Sequence, residues 1–405
     1  MNEFSDIPQK TGHEDEVSII VNGQILSGWT GVSIRTGIEL MPATFELETT
    51  EFTPNTTQIA IKGEDPCTVL IGPDKVISGY VVSVDKSLSS SNHSVRVTGA
   101  SKSVDLTECS AIFDTYQVNN TTPLQLAQKL CKPFNIQVET AGEIGALKIP
   151  QFSVVLTETP YEIIERVCRY AGLLAYDLPN GNIVLSRTGK TQASGGFREG
   201  SNIETAGYGE GIAGRFSFVQ AILVGNDLLF SAPGQGEIKP QVDHVSIGAK
   251  VFDAGVPRYR PLLIMAEQGD YQYKITQQRA QWEINRRIAR SSAVQIRCDS
   301  WRDGSGKLWA INTLASVNIP TLKCTPKNAL LISEIVFSKS VDEGTHADIT
   351  LMDAKAFLPE PINLTPLAAG VAQAVNENAK TSQNSQQMDT DFANNFDDDD
   401  DGGFF

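Results

Sequence analysis

The sequence predicts a mainly β chain of the α+β class, in which a small α+β segment separates two β-rich regions. Three observations predict this class. Short strand-like runs bounded by turn residues recur from residue 17 to residue 99. Two helix-start signals follow between residues 122 and 162. A second series of strand-like runs then extends from residue 215 to residue 352, with one long helical pattern inside it.

The composition is that of a folded chain with an acidic surface. Its 405 residues are 40% hydrophobic and 20% charged, with a formal net charge of -15, and this length suits two to four domains. Because phosphate binding needs clustered cations, the negative balance argues against tight nucleic-acid binding, although an acidic wall lets DNA pass nearby. The polar N-terminus is no signal peptide, and no apolar run reaches a membrane span. We therefore expect folding in a cytosol and no stable membrane binding.

Six cysteines are spread widely through the chain. No two of them have the CxxC spacing that is typical of a zinc site. In a chain this long they indicate buried thiols in a reducing compartment rather than a disulfide framework. The six are Cys67, Cys109, Cys131, Cys168, Cys298 and Cys324.

The first β region is predicted over residues 16–105, after a flexible arm at residues 1–15. Asn22-Gly23 is a strong hairpin-turn signal, and Gly72-Pro73-Asp74 marks another turn. The short spacing of the runs is typical of an all-β barrel or sandwich. The strand-like runs cover residues 17–21, 31–37, 44–48, 58–61, 67–71, 76–84 and 94–99.

A small α+β domain is predicted over residues 106–190. Thr122-Pro123-Leu124-Gln125 combines a capping residue, a proline at the first helical position and a capping box. The stretches TPLQLAQKLCK at 122–132 and TPYEIIERVCR at 159–169 align without gaps, which indicates two amphipathic helices with the same start. Two runs at 173–177 and 182–186 then flank a Leu178-Pro179-Asn180-Gly181 turn, which indicates a hairpin. Residues 191–214, rich in Gly, Ser and Thr, are predicted to be a surface linker.

The second β region is predicted over residues 215–360, and an acidic flexible tail over residues 361–405. A long helix is expected at 271–293, with Ala280, Ile284 and Ile288 on one stripe. Its arginines Arg286, Arg287 and Arg290 are expected to form salt bridges or line a subunit contact. Residues 226–242 are expected to be an excursion loop, and strands are expected at 215–224, 244–251, 329–338 and 347–352.

The most recognisable segment is SWRDGSGKLWAIN at residues 300–312. Trp301 and Trp309 flank a tight Asp303-Gly304-Ser305-Gly306 turn, with strand-like runs at 294–298 and 314–320 on either side. This pattern predicts a β-hairpin. The tryptophans are expected to pack in the core and stabilise the hairpin; the alternative is a pair of stacking platforms for a ligand.

No catalytic, cofactor-binding or metal-ligating residue is predicted. Residues 209–214 match the pattern GxGxxG, but a Gly/Ser-rich stretch precedes them and a strand follows, so a flexible loop is expected. The run from Asp397 to Asp401 lacks the alternating ligands of a calcium loop. It indicates a solvated acidic tail or, with its neighbouring phenylalanines, a docking tail. The four histidines, expected at the surface, are His13, His93, His244 and His346.

The order of these features resembles the baseplate hub proteins of Mu-like contractile-tailed phages, a tail hub family that includes the late control protein D-like proteins. The resemblance covers residues 15–360. It is carried by IRTGIE at 34–39 with FEL at 45–47, TPYEIIER at 159–166 with Ala171-Gly172, Arg260-Pro261, WRDG at 301–304 with LWAIN at 308–312, and LLIS at 330–333 with AFLP at 356–359.

The resemblance implies a homotrimeric ring in which two β-barrel domains per chain, related by pseudo-symmetry, surround a channel. Such a ring would adapt the six-fold tail tube to the three-fold central spike. It implies these partners: the tube or tube-end protein, the spike protein and other baseplate proteins. It also implies assembly in the host cytoplasm, a place in the virion, and DNA that passes without specific binding. No enzymatic activity is expected.

Two alternatives remain open at this point. A tail-associated cell-wall hydrolase would need a lysozyme-like or peptidase-like segment, and the predicted linker is too short to hold one. A carbohydrate- or receptor-binding β protein would use Trp301 and Trp309 as stacking platforms.

Overall fold

The computed structural model describes residues 14–50, 61–89, 93–113, 117–145, 147–224, 245–266 and 273–357. These residues form 21 strands and four α-helices, so the mainly β class with α+β character is confirmed. Among the described helices, none combines the length and the apolar content that crossing a membrane requires.

The first β region is a series of antiparallel strands. Asn22 and Gly23, which join the first two strands, have φ values of 51° and 75°. Positive φ at both central residues is what a type I′ hairpin turn requires, so the predicted turn is confirmed. Residues 58–60, in one predicted run, lie outside the described residues. The strands are β1 (Val17–Val21), β2 (Gln24–Ser27), β3 (Gly31–Gly37), β4 (Leu40–Thr50), β5 (Pro66–Ile71), β6 (Asp74–Leu88) and β7 (His93–Ser101).

The middle part of the chain contains the two helices with matching start signals. Thr122 and Gln125 form a reciprocal capping box, as do Thr159 and Glu162, so both predicted helix starts are confirmed. The predicted hairpin is also present, between β11 and β12. The elements are α1 (Val104–Glu108), β8 (Gln117–Thr121), α2 (Pro123–Cys131), β9 (Val138–Ala141), β10 (Ile149–Ser153), α3 (Pro160–Ala171), β11 (Leu174–Asp177) and β12 (Ile183–Ser186).

The second β region contains one long helix, as predicted, and ends in a short 3₁₀ helix, Ala354–Phe357. The expected loop at 226–242 lies outside the described residues. The strands and the helix are β13 (Gln192–Arg198), β14 (Thr205–Glu210), β15 (Phe218–Val224), β16 (Val245–Phe252), β17 (Pro261–Ala266), α4 (Tyr273–Arg290), β18 (Ser292–Cys298), β19 (Leu314–Asn318), β20 (Leu330–Ser340) and β21 (Gly344–Met352).

The prediction of a surface linker at 191–214 is wrong for most of that segment. Strand β13 pairs with β19 in parallel, and β14 pairs with β18 in antiparallel orientation. Gly196 reflects close packing rather than flexibility, because a Cβ on it would lie 2.0 Å from the Ser316 hydroxyl. A strand whose glycines allow close packing cannot be told from a glycine-rich linker by composition alone.

One 13-stranded sheet joins the two β regions. Its hydrogen-bonded path runs from β14 through β18, β21, β20, β3, β4, β7, β6, β5 and β1 to β2, and among the described strands it closes into no barrel. No barrel closes because β3 and β20, at the edges of the two regions, pair with each other in antiparallel orientation over the whole length of β3. This pair joins the two regions edge to edge. Arg35 Nε donates to Glu334 Oε1 at 2.7 Å across this pair.

The hydrophobic core follows the sheet rather than the division of the chain predicted from sequence. Side chains of both β regions, including Ile19, Leu47, Trp301 and Ile349, form one buried cluster. A second cluster lies around α2 and α3 of the middle part. A separate three-stranded sheet, β16-β15-β17, packs its apolar face on α4 through Val219, Ala221, Ala280 and Ile284.

The cysteines are free thiols, and all are buried except Cys109, which is exposed. Burial raises the pKa of both Cys131 and Cys168, which match in the two aligned helices, to about 12. Thiols with such high pKa values are poor nucleophiles at neutral pH, so these two side chains act as core residues.

Asp177, at the end of β11, fastens the middle part to the first β region. Its Oδ2 atom accepts hydrogen bonds from the Ala43 backbone N–H at 2.6 Å and the Ser101 hydroxyl at 2.7 Å. Burial raises the pKa of this carboxyl above its ordinary value, and the hydrogen bonds oppose that effect only in part.

We expect an Asp177→Asn substitution to change the pH dependence of stability. Because the folded pKa is raised, the contribution of Asp177 is fully present below its unfolded pKa of about 3.9 and is lost as pH rises through the folded pKa. The free energy of unfolding of the variant minus that of the wild type should therefore increase above pH 4, and urea unfolding at several pH values measures it. Asp342→Asn, at an exposed carboxylate, controls for the lost charge. A difference that stays flat or falls with pH would contradict this account.

Candidate interaction site: the tryptophan loop

Residues 300–312, here called the tryptophan loop, connect β18 to β19. The predicted β-hairpin is wrong, because β18 pairs with β14 and β21, whereas β19 pairs with β13 and β20. The loop itself contains one isolated bridge, between Arg302 and Leu308. Alternating residues predict that a segment is a strand, but they do not say which strand lies beside it.

The predicted turn at the tip of the loop is present and is held by Asp303. Asp303 Oδ1 accepts from the Ser305 N–H at 2.8 Å, the Ser305 hydroxyl at 2.6 Å and the Lys307 N–H at 3.2 Å. Its Oδ2 accepts from the Ser194 N–H at 3.1 Å. Partial burial acts to raise the pKa of this carboxyl, but the hydrogen bonds outweigh burial and lower it.

Both tryptophans lie in the core. Trp301 is fully buried, donates its indole N–H to the His346 carbonyl at 2.7 Å and meets Phe337 edge-on at 6.0 Å between ring centroids. Trp309 is 5% exposed, donates to the Ser300 carbonyl at 3.0 Å and lies 4.6 Å from Phe197. The expectation of core packing is confirmed, and neither indole offers a free face for stacking a ligand.

Arg302 fastens the loop to the first β region. Only 11% of its side chain is exposed. Its guanidinium group donates to Asp74 Oδ2 at 2.7 Å, at the start of β6, and to the Glu14 carbonyl at 2.7 Å. It also donates to the Gly306 carbonyl at 3.0 Å and lies 3.4 Å from Asp15. The guanidinium fork therefore joins the turn, the chain before β1 and β6.

Asn312 fastens the other end of the loop to the middle part. Its Nδ2 lies 3.1 Å from the Tyr176 hydroxyl, 3.2 Å from the Ser186 hydroxyl and 3.0 Å from the Arg187 carbonyl. Its Oδ1 accepts from the Gly189 N–H at 2.7 Å. A Cβ on Gly189 would lie 1.8 Å from the Asn312 carbonyl oxygen, so this close approach requires glycine. Sequence reasoning assigned no role to Asn312.

The prediction of surface histidines is wrong for His346, which is 9% exposed in β21. Its Nδ1 lies 2.7 Å from Glu204 Oε2, and its Nε2 lies 2.5 Å from the Glu343 carbonyl. Its own carbonyl receives the Trp301 N–H, so this residue supports the loop. His13 and His244 lie outside the described residues.

The arginines of α4 form salt bridges in two of the three predicted cases. Arg287 pairs with Glu283 at 2.7 Å, and Arg290 pairs with Glu39. Arg286 has no ion pair among the residues that the structure describes. The predicted apolar stripe is wrong at Ile288, which is 38% exposed; the neighbouring Ala289 is buried instead.

The tryptophan loop thus contacts all three parts of the chain at once. Its indoles pack in the shared core, Arg302 binds the first β region and Asn312 binds the middle part. Within the described ranges, no group of three or more His, Cys, Asp and Glu side chains is arranged to hold a metal ion. These contacts join the three parts of the chain at a single loop.

Comparisons with known proteins agree on the kind of molecule. Family models match residues 16–101 (Mu phage baseplate assembly protein GpP-like, N-terminal), residues 103–187 (baseplate hub protein gp44-like, second domain) and residues 272–360 (Mu phage baseplate assembly protein GpP, fourth domain). The baseplate hub protein gp44 of Escherichia phage Mu is 29% identical over 349 residues, which are 84% of this chain and 89% of that protein.

Solved structures show the same likeness. The 43 kDa tail protein of prophage MuSo2 from Shewanella oneidensis is 30% identical, with a TM-score of 0.73 over 86% of this chain and 100% of that one. The tail protein from Neisseria meningitidis MC58 has the same fold at 16% identity, with a TM-score of 0.67 over 86% of this chain and 99% of that one. Together these likenesses define the class of the chain, a structural protein of a phage tail. The chain belongs to the family of baseplate hub proteins of Mu-like contractile-tailed phages.

Proposed function

We propose that three copies of this chain form the baseplate hub ring that adapts a six-fold tail tube to a three-fold central spike. The observation that carries the proposal is the β3–β20 pair, which fixes two β regions side by side in one chain. Three such chains present six β regions around an axis, the number that a six-fold tube requires. The same ring has true three-fold symmetry toward a spike.

The open ends of the large sheet support assembly into a ring. Strands β2 and β14 end the hydrogen-bonded path, and both have mostly exposed residues. Exposed edge strands have unpaired backbone groups, which can pair with a neighbouring copy. In this proposal, contacts between copies complete the two β regions as similar, barrel-like units related by pseudo-symmetry. The turn at residues 303–306 then lies at an edge that faces another subunit or the tube.

The charge of the chain supports a channel through the ring. The formal net charge of -15 disfavours strong binding of nucleic acid. A negatively charged wall repels phosphate, so DNA passes during ejection without specific binding. The proposed partners are the tube or tube-end protein, the spike protein and other baseplate proteins, in the virion baseplate after assembly in the host cytoplasm.

Native mass spectrometry of the full chain tests the proposed trimer. The expected species has three times the chain mass of 43.9 kDa. A strictly monomeric protein, even with its spike protein present, would contradict the proposal. Incubation with purified peptidoglycan is the matching test of the non-enzymatic role: we expect no release of fragments, and measurable release would instead support a cell-wall hydrolase.

A further inference from the structure

A cleft of about 350 Å³ lies where the middle part meets the second β region. Residues of α3 and β11 form one side, and α4 and the terminal 3₁₀ helix form the other. Apolar side chains in its lining include Ile38, Leu174, Trp282 and Phe357, and its charged lining residues are Glu39, Glu165, Arg169, Arg286 and Arg290. The cleft therefore combines an apolar wall with more positive than negative groups.

Two of the three arginines are already neutralised. Arg169 donates to both oxygens of Glu165, at 3.0 and 2.9 Å, and Arg290 pairs with Glu39. Glu283, on the same helix as Arg286, lies between Arg279 and Arg287, at 3.5 and 2.7 Å. None of these carboxylates pairs with Arg286.

Arg286 is the unbalanced cation of the cleft. Across the described ranges it has no hydrogen-bond or ion-pair partner, and its guanidinium carbon lies 5.4 Å from the centroid of the Trp282 ring. Partial burial and the positive charge of Arg290 lower the pKa of Arg286. Glu39 and Glu283 offset this effect in part, but neither is in hydrogen-bond contact with Arg286. A half-buried guanidinium group with no carboxylate in direct contact is a site that an incoming anion would stabilise.

The chain itself supplies an anion of matching chemistry. Phe357, in the cleft lining, is the last described residue, so the C-terminal segment begins at the cleft. That segment contains five consecutive aspartates, Asp397 to Asp401, with four phenylalanines nearby: Phe392, Phe396, Phe404 and Phe405. Some 40 residues separate Phe357 from Asp397. At about 3.3 Å per residue, this length of chain is more than enough to bring the aspartates back to the cleft.

We propose that the end of this chain, from Phe392 to Phe405, docks intramolecularly into the cleft. A carboxylate of the aspartate run binds Arg286, and a phenylalanine packs on the apolar wall beside Trp282 and Phe357. The last matching family model ends at residue 360, so the docking segment lies beyond the matched family models. The Shewanella protein is covered over its whole length by 86% of this chain. The inference does not depend on trimer formation.

Site-specific photo-crosslinking in the full-length chain tests this docking. With p-benzoylphenylalanine at position 396, irradiation should give crosslinks to peptides of α3, α4 or the terminal 3₁₀ helix, at the mass of a single chain. Arg286→Gln should lower the yield about tenfold, because a charge-assisted hydrogen bond is lost. Arg258→Gln, at an exposed arginine outside the cleft, is the matched control and should leave the yield unchanged.

A second variant changes the docking segment without touching the folded body. Replacing all five aspartates from 397 to 401 with asparagine should lower the yield at least as much as Arg286→Gln does. Crosslinks confined to other surfaces, crosslinks at the mass of two chains, or a yield that neither variant changes would each overturn intramolecular docking. The number of chains in the hub is measured separately by native mass spectrometry, so a failure of intramolecular docking can be told from a failure of the proposed trimer.

Discussion

Replacing Trp301 with alanine is expected to lower the free energy of unfolding by about 3–5 kcal/mol, the usual cost of truncating a large buried aromatic residue. The side chain is fully buried, and its indole N–H is hydrogen-bonded to the His346 carbonyl. The variant therefore leaves a cavity and removes the shorter of two side-chain hydrogen bonds to that carbonyl, which keeps the Ser338 hydroxyl at 3.3 Å. Trp309→Ala should act in the same direction and impair folding or assembly. Urea unfolding followed by far-UV circular dichroism measures both, since that signal does not depend on the replaced fluorophores.

A matched control is Val341→Ala, at a side chain that is 78% exposed between β20 and β21. It should change the free energy of unfolding by no more than about 0.5 kcal/mol. If either tryptophan variant kept full stability and assembly but lost binding to a sugar or a receptor, the tryptophan loop would be a ligand site rather than a structural junction.

Asn312→Ala is expected to lower the free energy of unfolding by about 2–4 kcal/mol. Each hydrogen bond of Asn312 contributes about 1 kcal/mol, and the half-buried Gly189 N–H loses its acceptor. The backbone adds about 1 kcal/mol to this loss of free energy of unfolding. Position 312 has a φ of 59°, in the left-handed region, which alanine adopts less readily than asparagine. Hydrogen exchange should increase most in β11 and β12, which Asn312 fastens to the second β region.

Asn135→Ala isolates the backbone contribution to that loss. Asn135 has a φ of 55°, and its side chain is exposed. Its substitution should therefore cost only about 1 kcal/mol, from the left-handed backbone alone. Equal losses in the two variants would mean that the hydrogen bonds of Asn312 do not hold the middle part in place.

Local features of the fold follow from the sequence. The Asn22-Gly23 turn and the capping boxes at Thr122 and Thr159 lie where the residue types predict them. Each depends on residues at most three positions apart, so the signal is complete within a short window. The pairing of distant strands does not follow from the sequence. Pairing of β3 with β20 joins residues some 300 positions apart, and the alternation within each strand carries no information about its partner.

The tryptophan loop shows the same division. Burial of Trp301 and Trp309 was predictable, because large aromatic residues beside strand-like runs are usually core residues. The anchoring roles of Arg302 and Asn312 were not predictable. Arg302 binds Asp74, which lies 228 positions away in the chain, and Asn312 binds Tyr176, which lies 136 positions away. The hairpin expected from the flanking runs failed because β13, β14, β20 and β21 occupy the edges of β18 and β19.

The central claim is that the tryptophan loop holds two β regions and a middle part in the orientation that a three-fold hub ring requires. Negative-stain electron microscopy of the purified full-length chain tests it most directly. The account predicts class averages of a three-fold particle with a central hole wide enough for duplex DNA. Compact single-chain particles, or closed particles without a hole, would contradict it.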